Sequence, residues 1–403
     1  MKLACVVHRF GADIAGGSEG HCRLIAEHLA ASHDVTVVTT TAHDHVTWAN
    51  HYPPGEERLD RLTVRRFPVE RTRDLHRFRD LSDLVFADRG SRADQEEWFR
   101  ENGPCAPALL DFLRSHGSTF DLVLFWSYRY YDAYFGLPLV PRAVLVPTAE
   151  EDPLIHLDLL DEYFARPRGY LFLTPEEEAL IGGRVPASVP RAIIGCGLDE
   201  PSVADRSKLD ALGIRDPFVL YLGRIDPNKG CETLIRHFIQ WTGSQNLVSP
   251  ANPANPVNPV NPVNPVNLVL AGPANMPVPP HPQIRQLGFV DEATRDALLA
   301  HARVLMMPSP YESLSMVLLE AWNHRTPALV NARCAVLKGQ VLRADGGLYY
   351  QNAAEFAGAL DHLLQHSDVA RQLGAQGFDY VQREYRWPTV LAKIERVLGS
   401  AAL

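Results

Sequence analysis

The chain has 403 residues, 46% of them hydrophobic and 22% charged. That composition belongs to an ordinary globular protein long enough for two domains, and it excludes both a disordered chain and a small disulfide-stapled module. With 39 basic against 48 acidic residues the net charge is −9, so the basic surplus of a nucleic-acid binder is missing and no nucleic-acid partner is expected.

The first forty residues read as strand, loop, helix, strand: LACVV, a loop with Gly11, Gly16 and Gly17, amphipathic HCRLIAEHLAAS, then DVTVVTTT. This is a βαβ opening onto a parallel sheet. The N-terminal MKLACVVHRF has too few apolar residues for a secretory segment. Further strand-like runs occur at LTVRRFPV, DLVLFW, RAVLVP and GYLFLT, nearly continuously apolar as in a doubly wound sheet. From Arg191 to Pro217 the pattern weakens among Gly195, Gly197, Pro201 and Gly213, which suggests an interdomain hinge. A second βα series then runs FVLYLGR, CETLIRHFIQWT, NLVLAG, IRQLGFV, EATRDALLAHA, RVLMMPS, MVLLEAWNH, PALVN. Two successive Rossmann-like halves are the simplest architecture.

Proline is the one outlier, 31 residues of which 11 fall between Pro250 and Pro282. Five of these belong to ANPANPVNPVNPVNPVN, residues 251–267, a three-residue repeat. Proline lacks a ladder donor and biases the residue before it to extended backbone, so an extended loop is expected there. Lengthening such a loop costs little closure entropy.

Six cysteines, at 5, 22, 105, 196, 231 and 334, form no CxxC pair and no zinc spacing. Free thiols imply a reducing compartment, and no uncharged apolar run approaches the roughly 18 residues of a membrane span. A cytoplasmic chain is expected. The stretch Arg58–Arg79 carries eight arginines; it reads either as a solvated, partly self-paired surface or as a peripheral contact for anionic membrane or a phosphorylated acceptor. His43, His45 and His51 read as chance neighbours, Glu176, Glu177 and Glu178 as the acidic opening of a helix, and Tyr128, Tyr130 and Tyr131 as core packing or a stacking surface for sugar.

Two motifs carry chemistry. In YLGRIDPNKG, residues 221–230, a strand ends at Gly223 and is followed by Arg224 and Lys229. Such a turn puts both cations where open α/β sheets bind ligands, and a diphosphate is their natural counterpart. The chain has only five lysines against 34 arginines, so a lysine here is not surface filler. In SPYESLSMVLLEAW, Glu312 precedes Glu320 by eight residues. A helix beginning near Ser313 to Ser315 would direct free N–H groups at an anion. Glu320, about two turns in, would reach a vicinal diol.

Together, G-R-x-D-x-x-K-G and E-x7-E in a C-terminal Rossmann-like half resemble the family-4 retaining glycosyltransferases of GT-B fold. The likeness extends to Gly16-Gly17-Ser18-Glu19, YRYYDAYFGLP (128–138), VPTAEEDP (146–153), LTPEEEAL (173–180), LGFVDE (287–292) and GGLYYQN (346–352). The resemblance implies an α/β chain of two Rossmann-like domains facing across a cleft. Residues 1–196 would form the acceptor-side domain and 197–385 the nucleotide-sugar domain, with 386–403 a helix crossing back to the first.

It further implies that Arg224 and Lys229 neutralise a donor diphosphate and that Glu320 holds the ribose. Backbone groups at Phe289 and Val290 would receive the base. Glu312, with the Ser313 and Leu314 amides, would address the transferred sugar or its phosphate, while Gly16 and Gly17 let the N-terminal loop approach the phosphates. No D-x-D occurs in the chain, so two cations and a helix N-terminus are the expected substitute for metal, and no cofactor is expected.

Three positions depart from the family pattern. Where related sequences read T-A-H-D-E-P, this chain reads Thr148, Ala149, Glu150, Glu151, Asp152, Pro153, so Glu150 takes the catalytic position of the histidine that, by the resemblance, would contact the donor sugar or acceptor hydroxyl. Ser315 replaces a glycine, and Arg325 stands where a helix-ending glycine is usual. The expected activity is metal-independent, retaining transfer of a hexose from a nucleotide-diphosphate sugar to a glycan or lipid-linked acceptor, in cell-surface polysaccharide or lipopolysaccharide biosynthesis. The competing expectation is a non-catalytic nucleotide-sugar-binding protein. A dinucleotide oxidoreductase is disfavoured, because GADIAGGSEG does not match GxGxxG.

Overall fold

A computed structural model describes residues 1–14, 16–87, 90–215, 217–247 and 266–403. The 251–267 repeat, save Val266 and Asn267, lies outside the described residues. The chain divides into two compact units, Met1–Gly197 with Trp387–Leu403, and Leu198–Arg386.

The first unit is built on eight strands: β1 (Lys2–Val6), β2 (Asp34–Thr40), β3 (Gly55–Leu59), β4 (Leu62–Phe67), β5 (Leu122–Trp126), β6 (Ala143–Val146), β7 (Gly169–Phe172) and β8 (Arg191–Ile193). They lie in the order β3-β4-β2-β1-β5-β6-β7-β8. Every pairing is parallel except the β3–β4 hairpin. Strands β5, β6 and β7 are buried along their whole length, as apolar runs covered on both faces must be. The closing helix Trp387–Ala402 belongs to this unit. It lies so close to β7 that a side chain at Gly169 would stand 3.1 Å from Val397 and 3.2 Å from Ala401.

Two elements here differ from the sequence reading. β3, GEERL, is exposed at every residue and has no apolar alternation to announce it. It is an edge strand whose pairing is supported by charge, with Arg65 on Glu56 directly across the hairpin and Arg66 on Glu57 at 2.8 Å. The stretch read as a hinge, 191–217, begins instead with β8 and includes a helix, Arg206–Ala211, capped by Asp205.

The second unit carries β9 (Phe218–Leu222), β10 (Asn267–Ala271), β11 (Ile284–Gly288), β12 (Leu305–Met307), β13 (Ala328–Asn331) and β14 (Gly347–Tyr350). They form one parallel sheet, in the order β11-β10-β9-β12-β13-β14. The order reverses between β9 and β12, and in open α/β sheets the crevice beyond the C-terminal ends of such a strand pair is where ligands bind.

Candidate active site

The chain leaves β9 through Gly223, at φ 145, and Gly272 succeeds β10 at φ 136. A side chain on Gly272 would lie 2.0 Å from the Gly223 carbonyl oxygen, so the two strand ends touch backbone to backbone. Arg224 comes next, half-buried, its carbonyl held by the Tyr221 hydroxyl at 2.7 Å. Asp226 caps the turn Pro227–Lys229, accepting from the Asn228 amide at 2.9 Å and from Asn275 Nδ2 at 3.0 Å. Its second oxygen lies 3.7 Å from Arg224 Nε. Against burial, the Asn275 and Asn228 hydrogen bonds, helped by the cations Arg224 and Lys229, hold the Asp226 carboxyl below its ordinary value.

Gly230 brings the turn against the neighbouring strand end. Its φ is 74, and a Cβ there would stand 2.3 Å from the Pro308 carbonyl oxygen just beyond β12. Only glycine allows this approach. Through it Lys229 Nζ comes to 2.9 Å from Glu312 Oε1, with side chains 30% and 15% exposed. The two motifs therefore meet as an ion pair across the switch point.

Beyond Glu312 the chain enters the helix Met316–Asn323. Gln340 Nε2 donates to the Leu314 carbonyl, which fixes this entry. Ser313 is half-buried and Leu314 buried. Ser315, the helix N-cap, sits at φ 67, ψ 83, and its hydroxyl makes no hydrogen bond. The family glycine is thus replaced at a left-handed position, where a side chain is strained. Arg325 is left-handed too, at φ 60, and its guanidinium lies over the Phe378 ring at 3.6 Å.

Glu320 is the fifth residue of its helix, nearer one turn in than the two expected. Its carboxylate lies 3.3 Å from Arg295 Nη1, a partner that sequence reasoning did not name. Burial raises its pKa against that cation, and its buried Oε2 accepts no hydrogen bond. Phe289 is 79% exposed and Val290 half-buried, after Gly288 at φ 71. The Gly272 amide donates to the Gly288 carbonyl at 2.7 Å, which aligns the ends of β9, β10 and β11.

In the first unit Gly16 caps the helix Gly17–Leu29 in extended backbone. A side chain on Gly16 would stand 2.2 Å from the Glu19 carboxylate, whereas Gly17 faces open space. Glu19 is buried against Arg9 and, at 3.0 Å, His8. Burial alone would raise its carboxyl, but those partners hold it well below the usual range, so the loop is tied to the sheet by a buried ionic anchor that sequence reasoning missed.

Glu150 is half-buried and comes shortly after Thr148, at φ 50. Its approach is set by Glu177, whose oxygens accept the Ala149 amide at 2.6 Å and the Leu173 amide at 2.5 Å. Glu176 to Glu178 do open a helix, Pro175–Ile181, but Glu177 points inward, and burial pushes its pKa up to about 8.

The remaining candidates resolve into packing. Tyr128 and Tyr131 are buried, and Tyr130 stacks on His8 at 3.7 Å. His43 lies 3.3 Å from Asp13 and beside His51, and among the described residues no three His, Cys, Asp or Glu side chains gather to hold a metal. Arginines of the 58–79 stretch find carboxylates that lie outside it: Glu101 takes Arg71 at 3.2 Å and Glu97 takes Arg77 at 2.5 Å. No described helix is long and apolar enough to cross a membrane.

Residues 216–366 match the family model described as Glycosyl transferases group 1. No curated protein is matched significantly by the sequence. Among solved structures, sucrose-phosphate synthase from Thermosynechococcus elongatus superposes with TM-score 0.70 at 18% identity, over 100% of both chains. Anabaena HepE, solved with UDP and glucose, gives 0.67 at 15% identity, over 99% of this chain and 100% of that one. WaaG, a glycosyltransferase involved in lipopolysaccharide biosynthesis, gives 0.63 at 14% identity over 98% and 100%. The family expected from the two motifs is the one whose model residues 216–366 match: that stretch is a glycosyl transferases group 1 domain, and the chain has the fold of these GT-B structures.

Proposed function

We propose that the chain transfers a hexose from a nucleotide-diphosphate sugar to a glycan or lipid-linked acceptor, with retention of configuration and without metal or other cofactor. The carrying observation is the 2.9 Å contact of Lys229 with Glu312 beside Arg224, at the point where the strand order reverses. As the sugar–phosphate bond breaks, negative charge builds on the leaving diphosphate. Arg224 and Lys229 are fixed cations for that charge, and the amides from Ser313 onward open a helix toward it. Glu312 holds Lys229 in place before the donor arrives. Glu320 takes a ribose hydroxyl, and the aligned backbone at Gly288, Phe289 and Val290 receives the base.

HepE was solved with UDP-glucose, and a trehalose-6-phosphate protein from E. coli with UDP-2-fluoro glucose, which makes UDP-glucose the first donor to test. WaaG's place in lipopolysaccharide biosynthesis supports cell-surface polysaccharide or lipopolysaccharide assembly as the setting, on the cytoplasmic side of a membrane. The exposed Arg58, Arg61 and Arg79 are the side chains that a peripheral contact with anionic lipid would use.

Arg224→Ala and Lys229→Ala each remove a charge-assisted contact of about 1.5 to 3 kcal/mol, which is roughly 10- to 100-fold in donor binding or turnover. Unchanged donor affinity and turnover in both variants would remove the site from this chain, and an inverted product anomer by NMR would remove retention. Glu150, standing where the family has histidine, favours one second reading, a protein that binds nucleotide sugar without transferring it. Single-turnover release of UDP from UDP-glucose separates the two.

A further inference from the structure

We infer that the second unit carries another anion site, at the N-terminal ends of its strands and so opposite Arg224 and Lys229, suited to the phosphate of a small phosphorylated molecule. A recess of about 530 Å³ opens there, lined by Arg206, Arg215 and Arg303, by His301, and by Pro217 and Phe218. Its size falls within the roughly 300–1,000 Å³ of small-molecule pockets. Phe218 begins β9, and Gly223 follows its last residue, Leu222. Five residues at about 3.3 Å each separate them, about 16 Å of strand, so one phosphate cannot serve both places.

The lining is built for an anion. Arg206 is held by the carbonyls of Ile214 and Arg215 at 3.2 and 3.4 Å, with its Nε 3.8 Å from Asp210. Arg215 and Arg303 are exposed, and neither is ion-paired with a carboxylate among the described residues. Asp210 is thus the one described carboxylate set against three guanidinium groups. His301 Nε2 is buried without a hydrogen-bond partner. Burial and Arg206 lower the His301 pKa, against Asp210.

Guanidinium forks match phosphate bidentately. Pro217 and Phe218 offer an apolar wall for the rest of the molecule. A concave site of this volume fits a phosphorylated metabolite better than a bilayer, which would meet a flat basic face. The inference does not depend on the transfer reaction proposed above.

The test uses the full chain, with titration calorimetry of inorganic phosphate, a hexose 6-phosphate and vesicles containing anionic phospholipid. UDP binding serves as the control for folding. The hexose phosphate should bind saturably to the wild type and to Lys229→Ala. Its affinity should fall about tenfold or more in Arg215→Glu and in Arg303→Glu while UDP affinity stays unchanged. Inorganic phosphate should bind at the same place more weakly. The inference is overturned by absence of saturable binding of both phosphate probes, by binding indifferent to Arg215→Glu and Arg303→Glu, or by binding lost in Lys229→Ala. Binding to the vesicles alone would make the recess a lipid contact and overturn it equally.

Discussion

His21 makes acid lability of the first unit a quantitative expectation. The ring is buried, within the helix Gly17–Leu29. The Trp126 indole N–H donates to its Nδ1 at 3.0 Å, and its Nε2 donates to the Gly195 carbonyl at 2.7 Å. A neutral imidazole protonated on Nε2 satisfies both neighbours. A second proton would set Nδ1–H against the indole N–H, donor facing donor, inside a core without water to help. Burial accordingly pushes the pKa from 6.5 down to about 4, against the Gly195 bond. A base with a depressed folded pKa contributes stability that is complete above 6.5 and is lost as pH falls from 6.5 toward 4. At roughly 1.4 kcal/mol per pH unit, that gap amounts to about 3 kcal/mol, a large part of the stability of a typical domain.

Asp132 works in the opposite sense over the same range. It is buried, and desolvation raises it from 3.8 to about 6 against His8 and two backbone amides, so its stabilisation is present below 3.8 and is lost as pH rises through 6. The informative quantity is therefore a difference. Urea unfolding from pH 4 to 7.5, compared between the wild type and His21→Gln, cancels the Asp132 contribution. The wild type should lose about 3 kcal/mol more than the variant between pH 7 and pH 4. Parallel profiles, or an imidazole titrating near 6.5 by NMR, would refute the reasoning.

Gly230→Ala should cost at least about 2 kcal/mol, from left-handed backbone and the contact with Pro308, and should weaken UDP-glucose binding by misplacing Lys229; unchanged urea midpoint and affinity would show that the turn has room. Ser315→Gly removes both a left-handed side chain and an unsatisfied buried hydroxyl, so thermal unfolding should show a gain of about 1 kcal/mol, and a loss would mean that the serine has a partner in solution. Glu320→Gln should weaken UDP about tenfold by calorimetry but leave inorganic diphosphate unaffected, because the lost contact is to ribose; equal losses for both ligands would put Glu320 on the phosphates instead.

Much of this protein is legible in its sequence. The apolar runs FVLYL, NLVLA and LVLFW announce buried parallel strands because every residue of such a strand meets a covered face, and the runs are local. G-R-x-D-x-x-K-G and E-x7-E are local as well, and they name the family whose model residues 216–366 match. β3 was not legible, since a charged edge strand has no burial pattern, and neither was β8, three residues in a glycine-punctuated stretch.

Tertiary structure alone decided which charges meet. Lys229 and Glu312 are 83 residues apart in the chain. They pair because the sheet order sets β12 beside β9 and because Gly230 lets backbone press on backbone at Pro308. The Arg295 partner of Glu320, the Glu19 anchor beneath Gly16 and the Glu177 grip on Ala149 arise in the same way. Sequence periodicity reports which faces are buried, a property each segment carries by itself. An ion pair or a hydrogen bond requires contact within about 4 Å between segments distant in the chain, and that distance exists only once the strands are ordered and packed.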